Sequence, residues 1–445
     1  MMRQNLHSIL QISSSDGGGG GGFIPATLHT GFKKHGFESH ILVKNKFSSD
    51  STVAYITWDC ELIDKIVTKL PFSPKNKTRI QYILKIFFNP KLALRIVKGE
   101  EDFAVFRTKS HLKKAINELK PDIVQCHNLH MWYFGLENLS WLSKEVPTVF
   151  TLHDAWLLSG HCALSLNCDK WRDGCVQCNQ LGLYPPLLRD ASHKNWLKKR
   201  ELYLNLSIHV VTPSQWLMDK VNESILKPAI VSQKVIYNGI DLSVYHPRDK
   251  MESRYILGIP KDVYVLLFAA SGLRDNPWKD FKMLQRVLEI VSKANLTKPV
   301  LCLALGDIGN RIEYSETLHL DFIPFVSDAE RVATYYCAAD IYVHPAKIET
   351  FGLTVAESLV CGTPVVATNV GGIPEIVIHD KSGYLVDEGD DSSMSNYIIS
   401  LLNDDELRSE MGCFGANDAK QRFDQKRMVN EYLEYYQEIL SRDSS

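Results

Sequence analysis

The sequence HPAKIETFGLTVAESLVCGTPVVATNVGGIPE, residues 344–375, decides the fold that we predict for this chain. It opens with a Pro-containing turn, presents Glu349, and then enters an apolar, helix-like run that carries Glu357. A Gly-Thr-Pro break and a β-rich segment, Pro364 to Thr368, follow. This order predicts a strand, a loop, a helix and a second strand, with one carboxylate at the start of the helix and another two turns inside it.

The spacing of the two glutamates limits what they can do together. If the helix begins near Thr350, a rise of ~1.5 Å per residue places the backbones of Glu349 and Glu357 about 12 Å apart. The carboxylate pairs of glycosidases lie roughly 5 to 9.5 Å apart, which disfavours a hydrolytic pair. Two carboxylates along one ligand, with the N–H groups of the helix start binding a phosphate between them, indicate a sugar nucleotide. The alternative is that both are solvated surface acids.

The motif resembles that of a known family. The spacing of Glu349 and Glu357, with ETFGLTVAESLVCGTPVVAT and the GGIPE that follows, is similar to the signature of retaining nucleotide-sugar glycosyltransferases of the GT-B fold, called family 4. The resemblance implies an α/β protein with two Rossmann-like domains that face each other across a cleft. Residues 1–245 would form the acceptor-side domain and 246–445 the donor domain, with a last helix, 424–441, that packs back on the first domain.

Length and composition agree with two domains. The chain has 445 residues, 45% hydrophobic and 23% charged, which favours two domains of roughly 200 residues. The net charge of −2 provides no overall field for nucleic acid, so we expect no nucleic-acid partner. The first apolar run is too short for a signal peptide, and no run approaches ~18 apolar residues. We therefore expect a cytoplasmic protein without a membrane-spanning segment.

A run of glycines follows the first predicted strand. Residues 6–12 have a strand pattern, residues 17–22 are all glycine, and residues 23–34 are helix-like. A glycine loop between a strand and a helix lets the backbone approach a phosphate or a sugar closely, although a flexible turn has the same composition. The resemblance implies that this loop lies against the donor diphosphate or the acceptor. The glycines assigned to the donor are Gly20, Gly21 and Gly22.

A dinucleotide-binding Rossmann unit is the rival interpretation of these glycines. It predicts an acidic residue at the end of the second strand, about 20 residues further on. The candidate strand, residues 40–43, is followed instead by Lys44, Asn45 and Lys46. The sequence therefore disfavours a dinucleotide site.

Residues 69–98 form a basic, amphipathic stretch. KLPFSPKNKTRIQYILKIFFNPKLALRIVK contains eight Lys or Arg and no acid, interleaved with large apolar residues. Such a stretch suits peripheral association with an anionic membrane, where a lipid-linked acceptor is presented. The alternative is an insertion whose lysines face water and whose apolar face packs on the domain.

Histidines follow two predicted strands of the first domain. His127 comes after the strand 123–126, and His153 comes after the strand 147–152. Open α/β sheets bind ligands at the carboxyl ends of their strands, although a lone histidine is more often structural. His153 lies in TLHD, and the resemblance implies that it contacts the sugar near the reacting carbon. His127 is a second candidate.

Four cysteines cluster in a predicted insertion, residues 160–180. In a chain expected to be cytoplasmic, four thiols within one short loop favour a structural tetrathiolate zinc site over disulfides. The spacing of the first pair is looser than usual, so disulfides or free thiols remain alternatives. The predicted role is to rigidify the loop beside His153. The four residues are Cys162, Cys168, Cys175 and Cys178.

Two cations follow the first predicted strand of the second domain. The strand 263–270 leads into SGLRDNPWKDF, which carries Arg274 and Lys279. Cations at the carboxyl end of a strand can neutralise a diphosphate leaving group, whereas isolated surface cations would have no such role. The family has an Arg and a Lys with the same offset. Asp280 stands where Gly is commoner in the family, which puts the local backbone shape in doubt.

The resemblance implies a reaction and a role for each of these residues. The reaction is retaining transfer of a sugar from a nucleotide-sugar donor to a glycan or lipid-linked glycan acceptor, as in surface polysaccharide biosynthesis. Arg274 and Lys279 would hold the departing diphosphate, so that catalysis needs no metal cofactor. Glu349 would hold the donor sugar and Glu357 the ribose hydroxyls. The other donor-side residues are Gly306, Phe351, Gly352 and Leu353, with Gly371 and Gly372 nearby on the chain.

Two other functional classes fit the same motifs. A nucleotide-sugar epimerase or hydrolase of the same fold would release free sugar and nucleotide without an acceptor. A non-catalytic module would bind the donor and turn nothing over. The sequence leaves both open because each of them needs a nucleotide-sugar site.

Overall fold

The computed structural model describes residues 6–17, 20–72, 74–88, 90–101, 103, 105 and 108–443. The chain divides into two compact units. Unit one comprises Met1–Pro213, Leu217–Ile236 and Val429–Ser445, and unit two comprises Ser214–Trp216 and Tyr237–Met428. The predicted domain boundary, between residues 245 and 246, falls shortly after the chain enters unit two at Tyr237.

Unit one is built on a parallel β-sheet. Its strands are β1 (Ser8–Ser15), β2 (Glu38–Asn45), β3 (Val53–Tyr55), β4 (Ile123–His127), β5 (Thr148–Thr151), β6 (Ile208–Thr212) and β7 (Ile230–Val235). Their order in the sheet is β3-β2-β1-β4-β5-β6-β7, and every neighbouring pair is parallel. This is the doubly wound Rossmann order, in which the strand sequence reverses between β1 and β4. The predicted α/β fold class is therefore confirmed for this unit.

Helices lie between most of these strands along the chain. They are α1 (Gly20–Lys34), α2 (Trp58–Thr68), α3 (Pro74–Phe88), α4 (Pro90–Val97), α5 (Thr108–Leu119), α6 (Leu139–Glu145), α7 (Ser192–Tyr203) and α8 (Gln215–Glu223). Four of them, α2 to α5, lie between β3 and β4. The first helix begins earlier than predicted, so Gly20, Gly21 and Gly22 form its first turn and are not part of a loop. Gly18 and Gly19 lie outside the described residues.

The basic stretch 69–98 contains α3 and α4. Apolar side chains on these helices and on the preceding α2 are exposed, with exposed fractions from 37% to 76%. They are Leu62, Ile66, Ile83, Phe87, Leu94 and Val97. Among the described residues, no helix combines the length and the apolar composition that crossing a bilayer requires.

Unit two repeats the architecture with one antiparallel edge. Its strands are β8 (Tyr264–Ala269), β9 (Val300–Leu305), β10 (Ile312–Ser315), β11 (Leu318–Ile323), β12 (Ile341–His344), β13 (Val365–Thr368) and β14 (Gly383–Val386). They are ordered β10-β11-β9-β8-β12-β13-β14, and only the pair β10 and β11 is antiparallel. Every residue of β8 and β9 is buried, as expected of central parallel strands covered on both faces.

Aspartates begin most of the helices of unit two. The helices after α8 are α9 (Lys250–Leu257), α10 (Phe281–Val291), α11 (Ala329–Ala338), α12 (Leu353–Val360), α13 (Asp391–Asn403), α14 (Asp405–Arg422) and α15 (Gln425–Asp443). In five of them an N-cap carboxylate accepts a hydrogen bond from a backbone N–H of the first turn, which satisfies a donor that the helix cannot use itself. The caps are Asp249, Asp280, Asp328, Asp390 and Asp404.

The last helix, α15, packs within unit one from Val429 onward. The Tyr432 hydroxyl lies 3.2 Å from Thr151 Oγ1, and the Tyr435 hydroxyl lies 2.7 Å from Ser232 Oγ. The ring of Tyr436 lies 5.8 Å from that of Phe32 on α1. These contacts connect the end of the chain to β5, β7 and α1.

A buried ion pair fixes the segment that follows β5. Lys199 Nζ lies 2.6 Å from a carboxylate oxygen of Glu101, and both side chains are almost completely buried. The same ammonium donates to the carbonyl oxygens of Trp156 (2.8 Å) and Ser159 (2.9 Å). Trp156 Nε1 in turn donates to Glu101 at 2.7 Å. The charged groups of Lys199 and Glu101 thus form hydrogen bonds with protein atoms instead of water, and these bonds hold residues 156–159 in place.

We expect Lys199→Met to lower the free energy of unfolding by about 3 to 5 kcal/mol, because it leaves the Glu101 carboxylate buried without its cation. The matched control is Lys194→Met, which removes a 2.8 Å pair with Glu100 from a side chain that is 56% exposed. Exposed pairs contribute about 1 kcal/mol or less. Urea unfolding followed by tryptophan fluorescence measures both, and equal losses would contradict the role of the buried pair.

Candidate functional site

The carboxyl edge of the unit two sheet brings two loops together. Strands β8 and β12 are neighbours, and the strand order reverses between them, which is where α/β sheets bind ligands. The loop after β8 carries Arg274 and Lys279, and the loop after β12 carries Glu349. Backbone contacts join the two loops. Lys279 and Ala346 form an isolated antiparallel β-bridge. Lys347 N–H donates to Trp278 O (2.9 Å), and Asp280 N–H donates to Pro345 O (2.8 Å).

Asp280, which stands where Gly is commoner in the family, has a structural role in this chain. Its carboxylate caps α10 by accepting from the N–H of Met283 at 2.9 Å. Its own N–H is the donor to Pro345 O. The residue after Lys279 therefore fixes the loop to a helix and to the neighbouring loop, so the aspartate stabilises the position of Lys279.

Lys279, Glu349 and His344 form one cluster at this edge. The Lys279 ammonium donates to the Glu349 carboxylate and lies 3.3 Å from His344 Nε2. His344 Nε2 lies 3.6 Å from Glu349 Oε2. Burial favours the neutral acid, but the charge of Lys279 outweighs it and lowers the pKa of Glu349 to about 2. Glu349 is therefore ionised at any physiological pH.

Arg274 has a different partner from Lys279. Its backbone N–H and its Nε donate to Asp307 Oδ2 at 3.1 and 3.2 Å, and its guanidinium also donates to the carbonyl of Ile308. Burial opposes ionisation of Asp307, yet the bonds from Arg274 lower its pKa. The guanidinium carbon lies 5.0 Å from the ring centre of Phe322. The two predicted cations are thus on one loop, each paired with its own carboxylate.

Two glycines have conformations that other residues would not adopt without strain. Gly306, after β9, has a φ of +106°, and a Cβ there would lie 2.4 Å from the carbonyl oxygen of Ala270. Gly371 has a φ of +57°, and its Cβ would lie 1.9 Å from the carbonyl oxygen of Glu349. Gly372 N–H donates to that same oxygen at 2.9 Å. The Gly371-Gly372 pair therefore fixes the backbone of Glu349.

The helix between the two glutamates begins later than predicted. Helix α12 starts at Leu353, and Gly352 is its N-cap in the left-handed region with a φ of +101°. Phe351 is buried in the unit two core. Glu357 lies one turn inside the helix, where the sequence pattern had placed it two turns inside. The distance argument from a start near Thr350 was therefore based on too long a helix.

Glu357 has an environment opposite to that of Glu349. Its carboxylate accepts a hydrogen bond of 2.9 Å from the Tyr336 hydroxyl. Burial raises the pKa of Glu357 to about 7, although the Tyr336 bond acts in the other direction. The two glutamates of the motif thus differ in ionisation, one being charged throughout and the other half protonated near neutral pH.

In unit one, His153 is paired with His127. His127 Nδ1 lies 2.9 Å from His153 Nε2, and the two rings are stacked with centres 5.2 Å apart. His127 Nε2 lies 3.1 Å from the amide oxygen of Gln11, so Nε2 carries the hydrogen and Nδ1 accepts from His153. Burial lowers the pKa of His153 to about 4, against the charge of Asp154. His153 is therefore neutral, with its Nε2–H committed to His127.

A second pair lies beside them. His130 Nε2 lies 3.1 Å from Asp154, whose other oxygen accepts from the N–H of Trp156 at 2.9 Å. The Tyr184 hydroxyl lies 3.4 Å from His130 Nδ1. The histidines that follow β4 thus contact the His153-Asp154 dipeptide that follows β5, as the adjacency of these strands requires.

The glycines assigned to the donor are close to the end of β1. A Cβ on Gly22 would lie 2.3 Å from Gly17 O and 2.5 Å from Ser15 Oγ. Gly22 therefore allows the chain to fold back between β1 and α1, where a larger residue would collide with the loop. Gly20 and Gly21 precede it in the first turn of α1.

The prediction of a structural zinc site is not supported. Within the described residues, which include all four cysteines, no three His, Cys, Asp or Glu side chains are grouped so as to hold a metal ion. Cys162, Cys168, Cys175 and Cys178 are free thiols. Cys175 Sγ accepts from Gly160 N–H at 3.2 Å, and Cys178 Sγ lies 3.3 Å from His161 Nε2. The sulfurs of Cys175 and Cys178 therefore have partners within the loop, where the cysteine spacing had suggested that all four sulfurs share one ion.

The sequence missed two residues of the site, His344 and Tyr336. His344 is the last residue of β12, as His127 is of β4, and a histidine at the end of an apolar run is the signal that could have found it. Tyr336 lies on α11 and gave no local signal, since its contact with Glu357 depends on how α11 and α12 pack.

Two family models match the chain. The model described as Glycosyltransferase Family 4 matches residues 19–244, just over half of the chain. The model described as Glycosyl transferases group 1 matches residues 249–418. The first model therefore covers the region of His153, and the second covers the cluster of Lys279, His344 and Glu349.

Curated proteins with similar sequences carry glycosyltransferase and synthase names. The chain is 28% identical over 240 residues to N-acetyl-alpha-D-glucosaminyl L-malate synthase of Bacillus anthracis, which covers 53% of this chain and 61% of that protein. It is 25% identical over 341 residues to the putative colanic acid biosynthesis glycosyl transferase WcaC of Escherichia coli K12, covering 72% of this chain and 77% of that protein. The chain thus spans less than two thirds of the first of these relatives.

Among solved structures, the fold is similar to that of Alr3699/HepE of Anabaena in complex with UDP and glucose. The TM-score is 0.58 at 17% identity, over 96% of this chain and 99% of that one. Similarity at this level of identity concerns the fold alone, which is GT-B. With both family models in chain order on two Rossmann-like units, the chain belongs to glycosyltransferase family 4.

Proposed function

We propose that this chain is a retaining glycosyltransferase that moves a sugar from a nucleotide-sugar donor to a glycan or a lipid-linked glycan, in surface polysaccharide biosynthesis. The main observation behind the proposal is the cluster of Lys279, Glu349 and His344 at the carboxyl edge of the unit two sheet. The names of relatives support the substrate class, since one is named a putative colanic acid biosynthesis glycosyl transferase and a structural neighbour was solved with UDP and glucose.

Lys279 and Arg274 are the groups proposed for the diphosphate. When the glycosidic bond breaks, negative charge develops on the departing diphosphate, and fixed cations stabilise that charge more than the charge of the ground state. Two side-chain cations and the N-terminus of α12 can supply this stabilisation, so we propose that catalysis needs no divalent metal. Arg274 must exchange Asp307 for a phosphate oxygen when the donor binds.

The two glutamates are proposed to hold the two ends of the donor. Glu349 is ionised and is anchored by Gly371 and Gly372, which suits it to accept hydrogen bonds from sugar hydroxyls. Glu357, against Tyr336, is proposed to hold the ribose hydroxyls. Since the pKa of Glu357 is raised to about 7, its capacity as an acceptor changes with pH in the physiological range.

His153 is proposed to contact the sugar near the reacting carbon. As a neutral imidazole whose Nε2–H is bonded to His127, it presents Nδ1 as a hydrogen-bond acceptor. A neutral ring adds no positive charge beside a carbon that becomes electron-poor in the transition state. Unit one is accordingly proposed as the acceptor side and unit two as the donor side.

A panel of labelled nucleotide sugars, with and without membrane extract, tests this function. We expect acceptor-dependent transfer from one donor, with the anomeric configuration of the donor kept in the product. Arg274→Ala and Lys279→Ala should each lower the turnover number about 10²-fold or more, because each removes one stabilising cation.

The matched control is Arg311→Ala, which removes an arginine of unit two that is paired with Asp321 at 2.7 Å and is distant in sequence from both loops. It should leave turnover unchanged. Near-normal turnover of both Arg274→Ala and Lys279→Ala would refute the assignment of the phosphate end. Release of free sugar without any acceptor would favour an epimerase or a hydrolase, and binding without turnover would favour a non-catalytic module.

Donor affinity should depend on pH through Glu357. Its raised pKa means that the folded chain holds a proton at pH 6 that an ordinary glutamate would have lost, and the carboxylate forms as the pH rises through about 7. We expect the dissociation constant of the donor, measured by calorimetry, to fall several-fold between pH 6 and pH 8. A nucleotide sugar is the correct probe because its diphosphate diester does not titrate in this range.

Glu357→Gln is the control for this dependence. It should bind the donor weakly and equally at both pH values, because an amide does not ionise. Glu349 does not contribute, since its pKa is lowered to about 2. A pH dependence that persists in Glu357→Gln would contradict the proposed role.

Helices α3 and α4, within residues 69–98, are proposed to bind the cytoplasmic face of an anionic membrane. Within each helix the two exposed apolar residues are three or four positions apart, Ile83 and Phe87 on α3 and Leu94 and Val97 on α4, and residues 69–98 contain eight Lys or Arg and no acid. Apolar side chains inserted among lipid headgroups, with cations around them, give affinity for anionic bilayers. A lipid-linked acceptor would be presented at such a surface.

Cosedimentation with vesicles tests this surface. We expect binding to phosphatidylglycerol vesicles at low salt, little binding to phosphatidylcholine, and a large loss of binding in the double variant Ile83→Ser and Phe87→Ser. Leu204→Ser is the control, since Leu204 is an exposed apolar residue at the end of α7. Absence of binding to anionic vesicles at low salt would end the proposal.

A further inference from the structure

His344 is a fully buried histidine at the centre of the unit two site. It is the last residue of β12, which lies between β8 and β13 in the sheet. Its ring is completely inaccessible and lies 6.2 Å from the ring of Phe268 and 5.8 Å from that of Tyr342. The roles assigned above to Lys279 and Glu349 do not include this residue, although it contacts both.

The hydrogen bonds around His344 determine which ring nitrogen carries the hydrogen. The Tyr342 hydroxyl donates its one hydrogen to the carbonyl oxygen of Ala269 at 3.3 Å. An ammonium only donates, so the contact of 3.3 Å between Lys279 Nζ and His344 Nε2 requires a lone pair on Nε2, and the Tyr342 hydroxyl, 3.3 Å from Nδ1, can accept from Nδ1–H. Nδ1 is therefore protonated. In a neutral ring this leaves the lone pair on Nε2, the atom that lies 3.3 Å from Lys279 Nζ.

The Lys279 ammonium thus has two protein acceptors of different charge. It has three N–H groups, of which one is directed at the Glu349 carboxylate and one at His344 Nε2. The third can be given to a phosphate oxygen. A carboxylate cancels the charge of the ammonium, whereas a neutral imidazole orients the ammonium and leaves its charge available.

This difference matters when a donor is bound. In the proposed function Glu349 accepts hydrogen bonds from sugar hydroxyls, which draws its carboxylate partly away from Lys279. Without His344, Lys279, whose side chain is 12% exposed, would keep only this loosened contact with Glu349 and would be free to rotate on its flexible stem. The bond to His344 is independent of the sugar and keeps the ammonium in place while the leaving group departs.

We propose that His344 is a positioning residue that, as a neutral acceptor at Nε2, holds the Lys279 ammonium directed at the leaving diphosphate. This inference rests on the proposed function of Lys279 and adds to it a residue that touches neither the donor nor the acceptor. Burial, followed by the charge of Lys279, lowers the pKa of His344 to about 4, which agrees with a neutral ring. The charged and titratable groups in contact with the ring are Lys279, Glu349 and Tyr342.

Two amide substitutions distinguish a positioning role of His344 from a role in core packing. In His344→Gln the amide oxygen can take the place of Nε2, so the acceptor for Lys279 is kept. In His344→Asn the shorter amide can replace only Nδ1, so the contact with Tyr342 is kept and the acceptor for Lys279 is lost. Both variants remove the ring and both leave a polar amide in the same buried place.

We expect His344→Gln to retain the turnover number within about threefold and His344→Asn to lose on the order of 10²-fold, the scale on which misplaced catalytic groups lower rates. The Michaelis constant of the donor should change less than the turnover number, because charge develops on the leaving group in the transition state. Equal losses in the two variants, matched by equal falls in the unfolding midpoint, would show a packing role and overturn the inference.

The tautomer itself provides a test that needs no turnover. In protein with ¹⁵N-labelled histidine, the His344 ring signals are identified by their absence in His344→Gln. We expect Nδ1 to be protonated and Nε2 to be unprotonated at pH 7. A protonated Nε2 would overturn the inference even in an active enzyme. If no donor of the panel is consumed, the proposed function fails while this measurement still decides the orientation of His344.

Discussion

The pairing of β8 with β12 is the constraint on which the candidate site depends. Because the two strands are parallel neighbours, the loops that leave them emerge at the same edge, and backbone bonds between residues 278–280 and 345–347 hold them together. Lys279 and Glu349 lie far apart in sequence and meet only for this reason. The buried, apolar strands of the sheet make this edge rigid, since they are covered on both faces and cannot shift without opening the core. The chemistry of the loops is thus set by strand order.

The same edge gives the two glutamates of one motif different properties. Glu349 is next to a cation and stays ionised, whereas Glu357 faces a tyrosine hydroxyl and holds a proton up to about pH 7. A sequence motif of two identical residues therefore encodes one permanent charge and one that responds to pH. The difference arises from the partner that each side chain meets, Lys279 from the preceding loop and Tyr336 from α11.

Much of the fold could be predicted from the sequence, and part of the site could not. The strand and helix periods, and the match of several motifs to one family, were sufficient for the two α/β units, and they singled out the two loops on which Lys279 and Glu349 meet. The start of α12 was misplaced because a left-handed Gly352, not Thr350, caps it. The cysteine spacing suggested zinc, but within the described residues the four thiols are not grouped as metal ligands, and the sulfurs of Cys175 and Cys178 contact nearby nitrogen atoms instead. The pairing of Arg274 with Asp307, and of Lys279 with His344, depends on contacts between separate strands, which local patterns do not contain.

The ion pairs of Arg274 and Lys279 with their carboxylates affect which anionic ligands can bind at this edge. Before a donor arrives, Asp307 neutralises Arg274 and Glu349 neutralises Lys279, so this edge of the sheet carries little net charge. A small anion such as inorganic phosphate would have to break both ion pairs. It has no sugar hydroxyls that could donate hydrogen bonds to the displaced carboxylates. A nucleotide sugar offers phosphate oxygens to the cations and hydroxyls to the carboxylates at the same time. If these residues have the roles proposed for them, the paired resting arrangement discriminates against the abundant free phosphates of the cell and in favour of ligands that combine a diphosphate with a sugar.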